Sequence, residues 1–248
     1  GHAANAVRQA LAASNLNLRG LHFHLGSPIF ELEPYALATE FVLRFAAQFR
    51  EEGLNLQDFS PGGGFAISYT RDQEPPEIAA YAETITATMK ATCDELGMTT
   101  PRLIIEPGRS IIGPAGVALY RVGAIKEIPG VRKYVSVDGG MGDNIRPALY
   151  QATYEVVVAN KINEPEAEKV TIAGKYCESG DLLASDVMLP ELASGDLIAI
   201  PATGAYCPSM ASNYNLAPRP AIVMVRAGKA RLIRRRESYQ GLMAVDVL

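Results

Sequence analysis

Five short polar clusters are the segments of this chain whose residue types and spacing indicate chemistry. In one of them a thiol and two carboxylates, from Cys177, Glu178 and Asp181, flank a glycine turn in a segment too polar for a core. The other four clusters are His22-Phe23-His24-Leu25-Gly26-Ser27, Gly62-Gly63-Gly64, Glu106-Pro107-Gly108-Arg109 and Gly204-Ala205-Tyr206. Because functional residues concentrate in loops that a rigid scaffold positions, we expect these clusters to belong to a site.

The composition is that of an ordinary soluble globular protein, with 48% hydrophobic and 20% charged residues among 248. A net charge of -4 gives no electrostatic reason to expect a nucleic-acid partner. No apolar stretch approaches the roughly 20 residues that span a bilayer, and the first residues lack the features of a secretory signal. Three widely spaced cysteines do not make a disulfide framework. We therefore expect a cytoplasmic protein with no membrane partner.

Two halves with different periodicity predict an α/β part followed by an all-β part, residues 1–115 and 116–248. In the first half the pattern predicts helices over 3–13, 31–52 and 77–96, and strands over 18–25, 56–60 and 103–105. The helix over 31–52 places four apolar residues on one face: Leu37, Phe41, Phe45 and Phe49. In the second half β-branched runs predict antiparallel strands over 117–126, 134–137, 154–158, 170–172, 197–200, 221–225 and 230–234. Each strand of the first half ends in a polar cluster, where parallel barrels carry their catalytic residues.

His22 and His24 lie two residues apart in a predicted strand, so their side chains point to the same face. Metal ligation is one interpretation, but the chain has only one other histidine, His2, and no carboxylate third ligand can be identified. We therefore predict no metal site. A pair of histidines in a polar layer inside a barrel is the alternative.

The glycine and arginine clusters indicate anion binding. Gly62, Gly63 and Gly64 follow a predicted strand, and successive backbone N–H groups without Cβ atoms can converge on a phosphate. A flexible turn is the simpler interpretation of three glycines. Glu106 could be a solvated helix cap, whereas Arg109 presents a planar fork suited to phosphate or carboxylate.

The clusters of the second half have equally plain structural alternatives. Arg146 and Tyr150, in the segment Arg146-Pro147-Ala148-Leu149-Tyr150, could serve a domain contact or hold a carboxylate. Cys177 could be inert, with Glu178 and Asp181 as turn formers. Tyr206 could be a packed tyrosine in a corner.

Taken in order, the five clusters resemble diaminopimelate decarboxylase, a family of pyridoxal-phosphate enzymes of the alanine racemase-like barrel class. The resemblance implies the C-terminal part of a (β/α)8 TIM-type barrel followed by an antiparallel β-sandwich or barrel domain. It also implies decarboxylation of meso-2,6-diaminopimelate to L-lysine in lysine biosynthesis, with pyridoxal 5'-phosphate as cofactor.

Roles for single residues follow from the same resemblance. His24 stacks on the pyridine ring, and Glu106 keeps the ring nitrogen protonated. The phosphate is held by Ser27, Gly62, Gly63, Gly64, Arg109 and Tyr206. The amino-acid substrate is bound by Arg109, Arg146, Tyr150, Glu178 and Tyr206.

The resemblance also implies that Cys177 protonates the carbon left after decarboxylation, in the active site of the neighbouring subunit. The resemblance therefore implies a homodimer with shared active sites.

One residue that the family requires is missing. Its Schiff-base lysine precedes the histidine motif, yet only 21 residues precede His22 and none is lysine. Lys175, close to Cys177, is a poor replacement because such a lysine needs a dry, rigid place. About three strand–helix units are predicted, whereas a closed barrel needs eight. We expect the C-terminal part of a longer decarboxylase that is inactive alone.

Two alternatives remain. The first is a sibling decarboxylase of ornithine, arginine or carboxynorspermidine, against which Arg146 and Glu178 argue. The second is a non-catalytic protein that keeps the phosphate pocket and acts as a binding or regulatory partner, which the missing lysine favours.

Overall fold

The computed structural model describes residues 1–247 and divides into two compact units. Unit 1 comprises Gly1–Ser68 and Asp72–Ile111, and unit 2 comprises Tyr69–Arg71 and the chain from Ile112 onward. The functional boundary after residue 115 stays a prediction. None of the helices formed by the described residues has the length and apolarity needed to cross a membrane.

Unit 1 alternates helices and parallel strands, which confirms the predicted alternation. Its strands form one parallel sheet in the order β1-β2-β3. The register pairs Leu21 with Phe59, and Phe59 with Leu103. The elements in chain order are α1 (His2–Ala12), β1 (Gly20–His22), α2 (Glu33–Ala47), β2 (Asp58–Ser60), α3 (Ile78–Glu95), β3 (Arg102–Leu103) and α4 (Arg109–Ile112).

The core of unit 1 lies between the sheet and its helices. Phe49 and Phe59 are fully buried, and each contributes about 2–3 kcal/mol by leaving water. They belong to a cluster with Val7, Leu43 and Met89 from three helices. Fixing β1 and β2 against this cluster fixes the loops that follow them.

The predicted apolar face of α2 is only partly the core face. Leu37 and Phe41 are 60% and 71% exposed, whereas the residues of the helix that are buried are Tyr35, Thr39, Leu43 and Ala46. Both faces carry apolar residues at helical spacing, so the period alone could not tell which one packs inward. The buried residues of α2 include Thr39, a polar residue that an apolar pattern does not mark.

Unit 2 contains a six-stranded sheet in the order β6-β9-β4-β5-β7-β8. Neighbouring strands are antiparallel except β5 and β7, which are parallel. The prediction of a purely antiparallel domain is therefore wrong at this pair, because a long crossover returns the chain in the same direction. The strands are β4 (Val117–Ile128), β5 (Arg132–Val137), β6 (Val157–Val158), β7 (Glu168–Ala173), β8 (Leu182–Leu189) and β9 (Leu197–Pro201).

Strand β8 is missing from the sequence prediction. Its pairing with β7 shifts register twice, and Asp186 inside it has a positive φ of 55°. These irregularities interrupt the apolar–polar alternation by which a strand is recognised.

A separate two-stranded hairpin follows, built from β10 (Ile222–Arg226) and β11 (Lys229–Arg234). Ala227 and Gly228 between them both have positive φ, as tight hairpin turns require. Most of the hairpin is exposed. The short helices of unit 2 are α5 (Arg146–Tyr150), α6 (Cys207–Met210) and α7 (Tyr239–Met243).

Candidate functional site

The glycine loop after β2 is the point where three of the predicted clusters meet in unit 1. A Cβ added to Gly63 would lie 2.1 Å from the carbonyl oxygen of Glu106, and one added to Gly64 would lie 2.3 Å from that of Gly26. Gly62 and Gly64 also have positive φ, 71° and 93°. Only glycine fits this close approach of backbones.

His24 lies directly against this loop. The backbone N–H of Gly63 donates to His24 Nδ1 at 3.4 Å, and a Cβ on Gly62 would come within 2.8 Å of the same nitrogen. His24 Nδ1 is thus the acceptor that faces the glycine loop. The exposed imidazole is therefore oriented by the glycine loop.

His22 has a partner that sequence reasoning did not identify. Its Nε2 lies 3.3 Å from Glu106 Oε1, with side-chain exposures of 51% and 57%. Such an exposed pair adds little stability. It does place the Glu106 carboxylate over the end of β1.

Arg109 and Ser27 are neighbours although 82 residues separate them in the sequence. Arg109 Nη2 donates to Ser27 Oγ at 2.8 Å. The guanidinium belongs to the first residue of α4 and is only 7% exposed. A buried planar cation beside a hydroxyl is an arrangement that binds oxyanions.

In unit 2, Arg146 is buried among tyrosines. Its guanidinium carbon lies 4.9 Å from the ring centroid of Tyr69, 5.5 Å from that of Tyr154 and 5.7 Å from that of Tyr206. It donates a hydrogen bond to the Tyr154 hydroxyl. Among residues 1–247, no carboxylate forms an ion pair with this guanidinium, which is 7% exposed. We call Arg146 and these three tyrosines the arginine cage.

Sequence reasoning selected Arg146 and Tyr206 but missed Tyr69 and Tyr154. A buried tyrosine looks like any core residue in a sequence, so no pattern marked them. Tyr150, which was predicted to bind substrate, lies at the end of α5 and is 61% exposed. Within residues 1–247 it makes no side-chain hydrogen bond, and the structure does not bring it into the arginine cage.

Tyr206 occupies a strained backbone position. Its φ is 70°, a left-handed value that is rare for a residue with a Cβ. The preceding Gly204 has no room for a side chain, because a Cβ there would lie 1.9 Å from the carbonyl oxygen of Ile112. This tight turn fixes the direction of the Tyr206 ring.

The exposed Cys177 and Glu178 are held by one distant segment. The Tyr214 hydroxyl donates to Glu178, and this hydrogen bond raises the pKa of Tyr214 to about 12. Asn215 Nδ2 donates to Cys177 Sγ at 3.7 Å. The thiol and the carboxylate therefore face the solvent with defined partners.

Asp181 anchors the loop that carries Cys177 and Glu178. Its carboxylate, 3% exposed, accepts backbone hydrogen bonds from Met141 at 2.6 Å and Tyr176 at 2.7 Å. A Cβ on Gly140 or Gly174 would come within 2.4 or 2.1 Å of its oxygens. Burial raises the pKa of Asp181. It is thus a buried anchor as well as a turn residue.

Comparison with known proteins now bears on these arrangements. Residues 2–113 match the family model described as the pyridoxal-binding domain of pyridoxal-dependent decarboxylases. Diaminopimelate decarboxylase of Bacillus subtilis is 47% identical over the whole chain and 56% of that relative. Residues 2–113 thus resemble the pyridoxal-binding domain of these decarboxylases. The predicted resemblance is confirmed, and diaminopimelate decarboxylase of Synechocystis is a further relative, 46% identical over 94% of the chain and 50% of its own length.

Solved decarboxylases have the same fold. Diaminopimelate decarboxylase from M. jannaschii in complex with L-lysine superposes with a TM-score of 0.91 at 39% identity, over 100% of this chain and 56% of that one. Lysine/ornithine decarboxylase from Vibrio vulnificus, in complex with putrescine, superposes with a TM-score of 0.75 at 26% identity, over 88% and 57%. The chain spans about half the length of the curated relatives it matches.

The residues of unit 1 fit the phosphate of the cofactor that gives the family its name. A buried guanidinium beside a hydroxyl offers side-chain donors to an anion. In the glycine loop the Gly62 and Gly63 N–H groups donate to Ser60 Oγ and His24 Nδ1. The exposed His24 imidazole supplies a flat ring beside that loop.

Proposed function

We propose that this chain carries substrate and cofactor residues of a decarboxylase that converts meso-2,6-diaminopimelate to L-lysine. The observation that carries the proposal is the arginine cage: a buried cation with no carboxylate partner among residues 1–247. Diaminopimelate has a second carboxylate, which simple diamino acids lack, and a buried arginine binds such a group in a bidentate manner. Identities of 46–47% to diaminopimelate decarboxylases support the same substrate.

The residues that would hold the phosphate of pyridoxal 5'-phosphate are Gly62, Gly63, Gly64, Ser27, Arg109 and Tyr206. When bound, the cofactor supplies a conjugated ring that takes up the electrons released as carbon dioxide leaves. His24 would cover that ring and Glu106 would face its nitrogen. The contact of His24 with Gly63 and that of His22 with Glu106 hold these two groups in place.

The substrate is bound by Arg109, Arg146, Tyr150, Glu178 and Tyr206. Glu178 meets the distal ammonium, and Cys177 donates a proton to the carbon from which carbon dioxide has left. Both side chains are exposed, as residues of a loop that serves a partner's active site must be. The active form is therefore a homodimer.

The 248 residues cover 56% and 50% of two diaminopimelate decarboxylases that they match. Lys90 is the only lysine in unit 1, and it lies exposed on α3. The lysine that binds the cofactor must come from residues outside this sequence, which also complete a (β/α)8 barrel of which unit 1 is part.

The test uses the protein encoded by the complete reading frame that contains this sequence, referred to below as the full-length protein. Lysine release from meso-diaminopimelate is measured for the native protein, for Arg146→Ala and for Arg8→Ala, an exposed arginine paired with Glu52. Removing Arg146 should lower kcat/KM about a hundredfold or more, while Arg8→Ala should leave it unchanged. Unaltered turnover in Arg146→Ala refutes the proposal.

The same assay separates the sibling reactions. Ornithine, arginine and carboxynorspermidine are offered to the full-length protein in place of diaminopimelate. Faster turnover of any of them assigns the chain to that reaction instead.

A non-catalytic role as a phosphate-binding or regulatory protein is the second candidate, favoured by the absence of a suitable lysine. Pyridoxal phosphate is added to the 248-residue chain, followed by borohydride, and the mass is measured. Reversible binding without a covalent adduct, together with a full-length protein that does not decarboxylate, would support this role.

A further inference from the structure

The hydrogen bonds behind Arg146 define how its guanidinium is aimed. The side chain donates to the Tyr154 hydroxyl, and that oxygen lies 3.6 Å from the Cys207 thiol. All three side chains are buried, with exposures of 7%, 2% and 5%. Arg146 opens α5 and Cys207 opens α6, so the row of hydrogen bonds joins three separate segments.

The donors and acceptors available on Arg146, Tyr154 and Cys207 determine the direction of the two hydrogen bonds that join them. A guanidinium has five N–H donors and no acceptor, so the Tyr154 oxygen accepts from Arg146. Its own O–H proton then needs an acceptor, and Cys207 Sγ is the acceptor within reach among residues 1–247. Burial raises the pKa of the Cys207 thiol, which keeps the sulfur neutral.

The rings of Tyr69 and Tyr154 also pack against the Arg146 guanidinium. Tyr69 and Tyr154 meet edge to face at 5.1 Å and 82°, and the Glu155 N–H donates to the Tyr69 carbonyl at 2.7 Å. Both rings are buried, whereas Tyr206 is 40% exposed. The guanidinium thus lies against two buried rings and one exposed ring.

This arrangement leaves most of the guanidinium donors for a ligand. Only Nη1 of the Arg146 side chain has a protein acceptor within residues 1–247, the Tyr154 hydroxyl. The remaining N–H groups suffice for a two-point contact with a carboxylate. Without Tyr154 the charge would stay, but the plane of the fork would no longer be fixed.

We propose that Tyr154 and Cys207 are positioning residues that orient Arg146 toward the carboxylate that is retained in L-lysine. This inference rests on the proposed function. Together, Arg146, Tyr154 and Cys207 make the site bind ligands that carry a carboxylate more tightly than diamines that have none.

The experiment measures inhibition of the full-length protein by L-lysine and by 1,5-diaminopentane, which has the same chain without a carboxylate. Tyr154→Phe removes the hydroxyl and should raise the inhibition constant of L-lysine about tenfold, with that of 1,5-diaminopentane unchanged. Cys207→Ala should act in the same direction, and Cys207→Ser, which keeps an acceptor, should restore much of the affinity.

Tyr120→Phe is the matched control, since Tyr120 is a buried tyrosine of unit 2 whose hydroxyl has no hydrogen-bond partner within residues 1–247. The inference is overturned if Tyr154→Phe and Cys207→Ala leave the lysine constant unchanged, or if Tyr120→Phe raises it equally. Should Tyr154→Phe fail to fold, the two Cys207 variants decide. Failure of the proposed function is distinguishable, because Arg146→Ala would then also leave lysine inhibition unchanged.

Discussion

The carboxylate of Asp181 accepts a 2.6 Å hydrogen bond from the backbone N–H of Met141, and so ties the loop of Cys177 and Glu178 to the glycine-rich turn that follows β5. A second bond, from the Tyr176 N–H, closes the other side of the carboxylate. The position of two proposed functional side chains therefore depends on a residue that touches no ligand.

Replacing Asp181 by alanine should destabilise unit 2 and loosen this loop. Two partly buried N–H groups would lose their acceptor, which costs about 1–3 kcal/mol in total. Urea unfolding measures the loss, and hydrogen exchange at Met141 and Tyr176 should become faster. Glu166→Ala, in an exposed loop, is the control. An unfolding free energy equal to that of the native chain would show that Asp181 is not an anchor.

Gly63→Ala should disrupt the glycine loop of unit 1 even though the backbone φ of Gly63 is not left-handed. The new Cβ would lie 2.1 Å from the Glu106 carbonyl oxygen, a backbone atom that cannot move aside cheaply. We expect a loss of about 1–3 kcal/mol and weaker binding of pyridoxal phosphate by the full-length protein.

Gly123→Ala is the comparison for this prediction. A Cβ there meets its nearest neighbour, the Ser136 carbonyl oxygen, at an ordinary 3.6 Å. Thermal unfolding and cofactor titration are run on both variants. Equal behaviour of the two would contradict a steric requirement at Gly63.

Acid should destabilise unit 2 through Asp196. Burial acts to raise the pKa of this carboxyl, but Lys161, the Ala193 N–H and Asn160 outweigh it and lower the pKa to about 2. The unfolded chain, with a pKa near 3.8, binds the proton more tightly. Stability is therefore fully present above about pH 4 and is lost as the pH falls toward about 2, by about 2 kcal/mol.

Urea unfolding between about pH 2.5 and 6 tests this dependence in the native chain and in Asp196→Asn. The two stability curves should converge as the pH falls through the window. Adding Lys161→Met in a double-mutant cycle isolates the ion pair. A difference between the curves that is constant over the whole range would contradict the assignment.

The proximity of Gly63, Glu106 and His24 could be predicted from the sequence because the carboxyl ends of parallel strands meet at one edge of a sheet. The same holds for the contact of Ser27 with Arg109. Each cluster follows a strand of β1-β2-β3, and the period of the strands is a local property that single sequences carry.

The arginine cage could not be predicted because Tyr69 and Tyr154 become neighbours of Arg146 only through long-range packing. The inward face of α2 was hidden for a related reason: apolar residues such as Phe41 occupy its outer side as well. Likewise, nothing local distinguishes the parallel partner of β5 from an antiparallel one.

The hairpin of β10 and β11 has a practical consequence for anyone who purifies this polypeptide. Val223 and Val225 on one strand, and Leu232 and Ile233 on the other, are each about half exposed or more, on a ribbon only two strands wide. Exposed apolar side chains on a two-stranded sheet with unpaired strand edges promote self-association. We therefore expect the polypeptide to aggregate at high concentration. Dilute solutions that contain a mild detergent should keep it monomeric.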